Sequence, residues 1–347
     1  MTPDDTSSAR VFTEHRGLLF SIAYEITGSV ADSEDVLQDS YLRFAKVDPD
    51  TVQDPRAYAA QVVTRQALNA LRSAQRRREE YVGPWLPEPL LTAADESGAD
   101  PSTKVELAES VSMAMLLVLE TLSPLERAVF VMREVFGFDY AHIADAVDRT
   151  AASVRQIAHR ARDHVQERRR RFTPASDETD RVVGEFFAAA MTGDLDGLLR
   201  LLAPDAVYIA DGGGKVTAAK VPVHGAQKVA RLFSGLARVG LPDIRIDAAV
   251  VNTAPGLIVY SRGVIDLVFL FEIVDGLITG VYAVRNPDKL TRFGASARRD
   301  RLVGCGWNDS DAEVYPVRCS TLSVSAHGAS VYLHRRRSPD RGSVPQR

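Results

Sequence analysis

The sequence predicts a multidomain protein with two all-α domains, the second a helix-turn-helix, followed by an α+β domain and a disordered tail. Three observations support this fold class. Apolar residues recur at helical spacing from residue 11 to residue 171. A segment rich in proline, glycine and acidic residues interrupts that spacing at residues 79–102. Beyond residue 206, short β-rich runs separated by turns replace the helices.

Composition narrows the class of protein. The chain has 347 residues, of which 45% are hydrophobic and 25% charged, as is typical of a soluble protein with two or three domains. Its formal net charge of -4 conceals arginine-rich stretches at residues 72–78 and 155–171. Cys305 and Cys319 lie outside any metal-ligand spacing. We therefore expect a cytoplasmic protein with no metal site, no cofactor and, because no long apolar run occurs, no membrane association.

The first all-α domain is predicted over residues 8–79 and holds three helices. These run from Val11 to Thr27, from Asp32 to Phe44 and from Arg56 to Arg78. Gly28 ends the first helix, because glycine readily takes the left-handed conformation found at helix C-termini. Pro55 starts the third, because a first-turn residue needs no backbone N–H donor.

Two polar faces of this domain are candidate binding surfaces. The second helix turns its apolar residues mostly inward, namely Val36, Leu37, Tyr41, Leu42 and Phe44. Its other face carries Asp35, Gln38 and Asp39. That acidic face is either solvated surface or a docking site for a basic partner. The third helix exposes residues that suit phosphate and base contacts, namely Arg65, Asn69, Arg72 and Arg76.

Residues 80–103 are predicted to form an extended linker, because their prolines disfavour helix. The linker begins YVGPWLPEPLL and includes the large apolar residues Trp85 and Leu86, with Pro87 beside them. Large apolar groups need a surface to bury against, so we expect this linker to dock on something.

The second all-α domain is predicted over residues 104–172. Ser123 and Glu126 have capping-box spacing at the start of one of its helices. A short helix from Tyr140 to Val147 and a tight turn lead to a longer helix that Thr150 caps. This order predicts a helix-turn-helix. The longer helix buries one apolar stripe and exposes the polar residues Ser153, Arg155, Gln156, His159, Arg160 and Arg162.

The exposed side of this last helix suits DNA recognition. Arginine and glutamine can bind guanine and adenine bidentately in the major groove, and the following Arg168 to Arg171 could neutralise phosphates. The alternative is a solvated helix in an ordinary bundle.

The last third differs in kind. Residues 175–290 are predicted as two helices followed by strands of a curved antiparallel sheet, which makes an α+β domain. Residues 291–347 lose periodicity and become rich in arginine, serine and glycine, so we expect a disordered tail. Within that tail only the run from Ser320 to Leu333 has strand character.

Residues 11–171 resemble a bacterial sigma factor of the extracytoplasmic-function (ECF) class. Three stretches carry the resemblance: DSEDVLQDSYLRF from Asp32, DPRAYAAQVVTRQALNALRS from Asp54, and LSPLERAVFVMREVFGFDYAHIADAVDRTAASVRQIAHRAR from Leu122. It implies a promoter-specificity subunit that has no active site and binds RNA polymerase core and promoter DNA.

The resemblance also implies a role for each polar face. Asp35, Gln38 and Asp39 would bind the β′ clamp helices of the polymerase, and the second domain would contact the β flap. Arg65, Asn69, Arg72 and Arg76 would read the -10 element. The helix from Ala151 to Arg162 would read the -35 element. The linker would seat on the polymerase and hold the two modules apart at promoter spacing.

The α+β domain resembles the SnoaL-like extension of one ECF subgroup. The resemblance rests on WLPEP at Trp85 to Pro89, DGGGK at Asp211, Gly212, Gly213, Gly214 and Lys215, and NPDKL at Asn286, Pro287, Asp288, Lys289 and Leu290. It implies that DGGGK and NPDKL contact the sigma domains and tune their activity within the same chain.

The alternative is a DNA-binding regulator fused to a small-molecule-binding or isomerase/hydrolase-type domain. SnoaL-like domains elsewhere use an Asp or His for proton transfer in a cone-shaped pocket. The candidates here are Asp211, Asp266 and His224, each of which is also explained as a turn former or a satisfied polar group. A small ligand for this domain stays open.

Overall fold

The computed structural model describes residues 7–47, 52–91, 112–168, 177–239, 243–291, 293, 321–323 and 332–333. We call residues 7–79 the first module, residues 112–168 the second module and residues 80–91 the linker, and residues 177–291 form the C-terminal domain. The predicted start of the second all-α domain at residue 104 lies outside the described residues, as do Cys305 and Cys319.

The first module contains α1 (Ser7–Glu14), α2 (Arg16–Thr27), α3 (Val30–Phe44) and α4 (Pro55–Glu79). The helix predicted from Val11 to Thr27 is interrupted at His15 and begins earlier than expected. Gly28 ends α2 in the left-handed conformation, with φ of 69°, as predicted. The Ser29 hydroxyl caps α3 and the Asp54 carboxylate caps α4.

The second module contains α5 (Met113–Leu119), α6 (Pro124–Phe130), α7 (Tyr140–Val147) and α8 (Ala151–Arg168), with a π-helical turn at Val131–Val135 after α6. The capping box of Ser123 and Glu126 is confirmed. The Thr150 hydroxyl accepts the Ser153 N–H at 3.2 Å, which confirms the predicted cap of α8. The predicted helix-turn-helix is therefore present as α7 and α8.

The two modules share one apolar core and are not held apart. Small residues of α4, including Ala60 and Ala67, are fully buried in this core, together with Ile143 of α7. Because such small side chains let helices approach closely, α4 packs against both its own module and α7. The Thr64 hydroxyl also lies 3.1 Å from the sulfur of Met132. In the chain by itself, the two modules are therefore closed on each other.

The C-terminal domain combines helices with one sheet. Its elements are α9 (Asp177–Thr192), α10 (Leu195–Leu201), β1 (Leu202–Asp211), β2 (Val223–His224), α11 (Ala226–Val239), β3 (Ile244–Val251), β4 (Ala254–Ser261), β5 (Val264–Val274) and β6 (Leu277–Val284). Strands β7 (Thr321–Ser323) and β8 (Tyr332–Leu333) follow. The strand order is β2-β1-β6-β5-β4-β3-β7-β8. The predicted α+β class is confirmed, but β1 and β6 pair in parallel, which their long crossover connection allows.

The sheet is buried on both faces. One face packs against α9 and α11 and is filled by aromatic rings, with the centroids of Phe186 and Phe233 4.9 Å apart. The opposite face packs against the linker residue Leu86 and against Met113 of α5. Alternate residues of β5 serve the two faces, since Phe269 belongs to the first and Val268 to the second. The C-terminal domain is thereby packed onto the linker and the second module.

Two short strands, β7 and β8, lie within the run from Ser320 to Leu333 that has strand character. Leu322 of β7 pairs with Ile246 of β3, and β8 pairs with β7. An unpaired edge strand such as β3 offers free backbone donors and acceptors, which attract a further strand. The other tail residues, apart from residues 291 and 293, lie outside the described part of the chain.

Candidate functional site

The outer face of α8 is open to solvent. Arg155, Gln156, His159 and Arg160 are exposed, because the residues between them are buried in the shared core. The His159 ring lies 2.7 Å from the Asp163 carboxylate, one helical turn further along. This part of the predicted DNA-binding set forms one continuous polar surface.

The two remaining residues of that set are less free. Ser153 is partly buried next to the Thr150 cap. Arg162 donates to the Glu134 carboxylate at 2.6 Å, and this hydrogen bond raises the pKa of Arg162. The free part of this face therefore consists of the four exposed residues.

The acidic face of α3 is exposed as well. Asp35, Gln38 and Asp39 all lie on the surface. Leu42 was expected to face inward, yet 56% of it is exposed one turn after Gln38. A large apolar side chain beside exposed carboxylates marks a surface suited to a partner that is both basic and apolar. The helical spacing of apolar residues placed Leu42 on the buried side, because the spacing alone does not show how wide the buried face of the helix is.

The basic face of α4 is only partly free. Arg65, Asn69 and Arg72 are exposed, and the side chain of Arg76 lies outside the described part of the chain. Arg65 donates from Nη2 to the Asp145 carbonyl at 2.6 Å and from Nε to the Ala146 carbonyl at 3.4 Å. These carbonyls belong to the last turn of α7, where helix carbonyls lack partners within the helix. Arg65 thus ties the two modules together.

Asp211 is the centre of a polar joint between the linker and the C-terminal domain. Its carboxylate is fully buried. One oxygen accepts the Leu86 N–H at 2.9 Å and the Lys289 ammonium at 2.6 Å. The other accepts the Tyr81 hydroxyl at 2.5 Å and the Gly213 N–H at 3.0 Å. Lys289 also donates to the Leu86 carbonyl. Every oxygen of the buried carboxylate is therefore hydrogen-bonded.

Burial governs the charges in this joint. It lowers the pKa of Lys289, and the Asp211 carboxylate opposes that shift. Burial also raises the pKa of Tyr81, and the hydrogen bond to Asp211 adds to the effect. The Lys289 ammonium lies 4.1 Å from the ring centroid of Trp85, a distance suited to a cation–π contact.

The DGGGK and NPDKL segments meet at this joint. Gly213 and Gly214 both have positive φ, of 60° and 70°. A Cβ at Gly213 would lie 2.4 Å from Asn286, and one at Gly214 would lie 2.9 Å from Val82 of the linker. The Asn286 amide donates to the Tyr81 hydroxyl at 2.8 Å. The close approach of Asn286 therefore requires glycine at position 213, and the close approach of the linker requires glycine at position 214.

Other residues of the two motifs lie toward the outside. Gly212 is buried beneath the turn, while Pro287 and Asp288 are exposed. Lys215 pairs with Asp288 at 2.5 Å, with 55% and 65% of these side chains exposed. This outer pair closes the turn without touching the linker residues of the joint.

Glu88 attaches the other side of the linker to the first module. Its carboxylate accepts the Ser29 hydroxyl at 2.8 Å, the Val30 N–H at 2.9 Å and the Ala31 N–H at 3.2 Å. A negative charge is favourable at the N-terminus of α3. The Glu88 carbonyl accepts the Tyr24 hydroxyl at 2.6 Å. Leu86 and Pro87 beside it are buried and Trp85 is partly buried, so the predicted docking of the linker occurs within the chain itself.

Asn252, in the turn between β3 and β4, connects three parts of the molecule. It is fully buried. Its amide donates to the Tyr24 hydroxyl of α2 at 2.6 Å and accepts the Leu90 N–H of the linker at 3.0 Å. Burial raises the pKa of Tyr24, so the phenol stays protonated. Sequence reasoning missed Asn252, because Asn is common in any hairpin turn.

The three candidate acid–base residues have separate environments. Asp211 is occupied in the linker joint, and Asp266 receives two hydrogen bonds from Arg285 at 2.9 and 3.1 Å. His224 lies in the short strand β2 and is exposed. Tyr208 faces the aromatic interior, where burial raises its pKa to about 12. Two of the three candidates are therefore engaged in hydrogen bonds, and the third is exposed.

Among the described residues, no group of three or more His, Cys, Asp and Glu side chains is placed to hold a metal ion. Within the same ranges, no helix combines the length and apolar character that a membrane crossing requires.

Three family models match the chain. They are Sigma-70 region 2 over residues 11–77, Sigma-70 region 4 over residues 112–165 and a SnoaL-like domain over residues 183–281. These three matches follow the first module, the second module and the C-terminal domain in order.

Curated relatives and a solved structure agree with these matches. The chain is 38% identical to the ECF RNA polymerase sigma factor SigJ of Mycobacterium tuberculosis, over 85% of this chain and 97% of SigJ. It is 30% identical to the probable ECF RNA polymerase sigma factor SigI of the same species, over 84% of this chain and 97% of SigI. The crystal structure of M. tuberculosis SigJ aligns with a TM-score of 0.64 at 32% identity, covering 81% of this chain and 97% of that one.

Proposed function

The chain belongs to the ECF RNA polymerase sigma factors, in the subgroup with a C-terminal SnoaL-like domain, and we propose that this domain tunes promoter-directed transcription by holding the linker. The observation that carries the proposal is the buried joint of Asp211, Lys289 and Leu86. At this joint, the SnoaL-like domain binds the linker, which connects the two promoter-reading modules.

Promoter reading is divided between the two modules. The exposed face of α8, with Arg155, Gln156, His159 and Arg160, contacts the -35 element in the major groove. Ser153 and Arg162 flank this face. The outer face of α4, with Arg65, Asn69, Arg72 and Arg76, contacts the -10 element. Support comes from the exposure of α8 and from the matches to sigma regions 2 and 4.

Core polymerase binds the first module. The exposed face of Asp35, Gln38 and Asp39 meets the β′ clamp helices, and Leu42 supplies an apolar contact in the same patch. The second module contacts the β flap. Because the linker is buried between the first module and the SnoaL-like domain, it must leave part of this site when the modules separate on polymerase.

Regulation within the chain requires no catalysis by the SnoaL-like domain. The polar groups available for acid–base chemistry are engaged elsewhere or exposed, as Asp266 and His224 show. We expect His224→Ala to leave promoter output within about twofold of wild type, since an exposed side chain contributes little. Output that depended on His224 would favour the fused-enzyme alternative.

The deciding experiment is promoter-specific transcription with purified core polymerase and the full chain. Asp211→Asn keeps the size of the side chain but removes the charge that Lys289 requires, so we expect the transcript yield to change at least about threefold. Asp288→Asn is the matched control, since its pair with Lys215 is exposed, and we expect unchanged yield. Equal yields from wild type and Asp211→Asn would refute regulation through this joint.

A further inference from the structure

Glu120, just after α5, is the meeting point of two arginines from different modules. Its carboxylate accepts hydrogen bonds from Nη1 of Arg127 in α6 and Nη1 of Arg78 near the end of α4. Only 1% of the Arg127 side chain, 16% of Arg78 and 20% of Glu120 are exposed. In such a site, charge pairs are strong and removal of one partner is costly.

Both arginines also bind the C-terminal end of α2. Arg127 donates from Nε to the Glu25 carbonyl at 2.8 Å, and Arg78 donates from Nη2 to the Thr27 carbonyl at 2.8 Å. The last carbonyls of a helix lack partners within the helix and carry partial negative charge. Two contacts therefore join the modules: Arg127 of the second module binds α2 of the first, and Glu120 of the second module binds Arg78 of the first.

Trp85 of the linker covers this cluster. The Arg78 guanidinium carbon lies 3.5 Å from the Trp85 ring centroid, and the Lys289 ammonium lies 4.1 Å from the same centroid. A Cβ at Gly28, which has φ of 69°, would lie 2.9 Å from the Trp85 ring and 3.2 Å from Glu120. Trp85 thus contacts a cation of the first module and a cation of the SnoaL-like domain.

We propose that Glu120 is the positioning residue of an interdomain lock that keeps the second module closed on the first, and that Trp85 couples this lock to the SnoaL-like domain. Glu120 orients both arginines, and the arginines fasten α2, α4 and α6 together. Trp85 contacts both Lys289 and Arg78, so release of the SnoaL-like domain removes a contact that holds Trp85 on Arg78. The effect on transcription rests on the proposed function, whereas the closure itself does not.

The closing experiment measures the distance between the modules in the free full chain. Spin labels are placed on Arg43→Cys in α3 and Gln166→Cys in α8, both exposed, with Cys305 and Cys319 replaced by serine. The lock predicts one short distance for the parent protein. We expect Glu120→Gln to add a longer-distance population at least about tenfold larger than in the parent.

Two variants protect the test against simple misfolding. Arg78→Gln removes the pair with Glu120, together with the Arg78 contacts to the Thr27 carbonyl and the Trp85 ring, and leaves Arg127 paired, so it should open the chain even if Glu120→Gln unfolds. Glu34→Gln, which breaks the exposed pair with Arg16, is the control and should keep the parent distance. Parent-like distances in folded Glu120→Gln and Arg78→Gln chains would overturn the lock.

The role of Trp85 is tested by Trp85→Leu, which keeps an apolar residue but removes the ring from Arg78 and Lys289. Opening comparable to that of Arg78→Gln supports the coupling. An unchanged distance would refute the coupling to the SnoaL-like domain. None of these measurements uses polymerase, so variants that open the chain and leave transcription unaltered would contradict the proposed function and not the lock.

Discussion

The two helices proposed to read promoter DNA differ in how far their polar faces are available. Helix α8 exposes Arg155, Gln156, His159 and Arg160, because only its inner stripe is packed. Helix α4 lies in the middle of the shared core, and its Arg65 is bound to carbonyls of α7. The -35 reader is therefore accessible in this conformation, while the -10 reader is partly held. Under the proposed function, promoter reading is therefore controlled by the release of α4.

This difference follows from where each helix is attached. Helix α8 comes last in the two sigma modules, and Gln156, His159 and Arg160 on its outer side are exposed. Helix α4 contacts α2 and α3 on one side and α7 on another. Its C-terminal Arg78 also contacts Trp85, which the SnoaL-like domain reaches through Lys289. A change at the C-terminal domain should therefore affect α4 far more than α8.

The largest effect on this contrast is expected from Lys289→Ala. The change leaves the buried Asp211 carboxylate without its counter-ion. Removal of one partner of a buried ion pair lowers the stability of the protein by about 3–5 kcal/mol. We expect the SnoaL-like domain to lose its hold on the linker and α4 to become exposed. Hydrogen exchange of the full chain measures this, with faster exchange in α4 and unchanged exchange in α8.

Lys215→Ala is the matched control for that prediction. Lys215 also pairs with an aspartate of the NPDKL motif, but in an exposed pair that contributes no more than about 1 kcal/mol. Its exchange pattern should equal that of the parent protein. Equal acceleration in α4 and α8 after Lys289→Ala would mean that the domain stabilises the chain globally and does not act selectively on α4.

An intermediate effect is expected on the free helix. Arg160→Ala on α8 should weaken promoter binding by about 1–3 kcal/mol per lost base contact, and only on promoters with the preferred -35 base. Holoenzyme binding to a matched and a base-substituted promoter measures this difference. Gln166→Ala, exposed two turns later on α8, should leave the preference unchanged. A uniform loss on both promoters would assign Arg160 to phosphate contact.

The sequence was sufficient for α8 because its signals are local. The Thr150 cap, the buried stripe and the polar face are all set by residues within a few helical turns. The same holds for the capping box of Ser123 and for Gly28. The docking of the linker was also predictable, because Trp85 and Leu86 are too apolar to remain in solvent.

The interdomain joints were not predictable from the sequence, because their partners are distant along the chain. Glu88 reads as an ordinary linker carboxylate, yet it binds the N-terminus of α3. Asn252 reads as a hairpin residue, yet it contacts Tyr24. Glu120 follows an apolar helix like any C-terminal polar residue, and only the fold brings Arg78 and Arg127 to it. Local patterns cannot encode which charged residues meet after folding.

The smallest effect, and the one that separates the two roles of α4, is expected from Arg65→Ala. Loss of two hydrogen bonds to partly exposed carbonyls should weaken closure by about 0.5–1.5 kcal/mol. Arg72→Ala, exposed on the same helix, should leave closure unaltered.

The spin-label distances between α3 and α8 and the transcript yield are measured for both variants. If α4 is held in the free chain and reads DNA once released, Arg65→Ala should change both quantities and Arg72→Ala only the yield. Identical behaviour of the two variants in both assays would mean that the contact between Arg65 and α7 does not restrain the -10 reader.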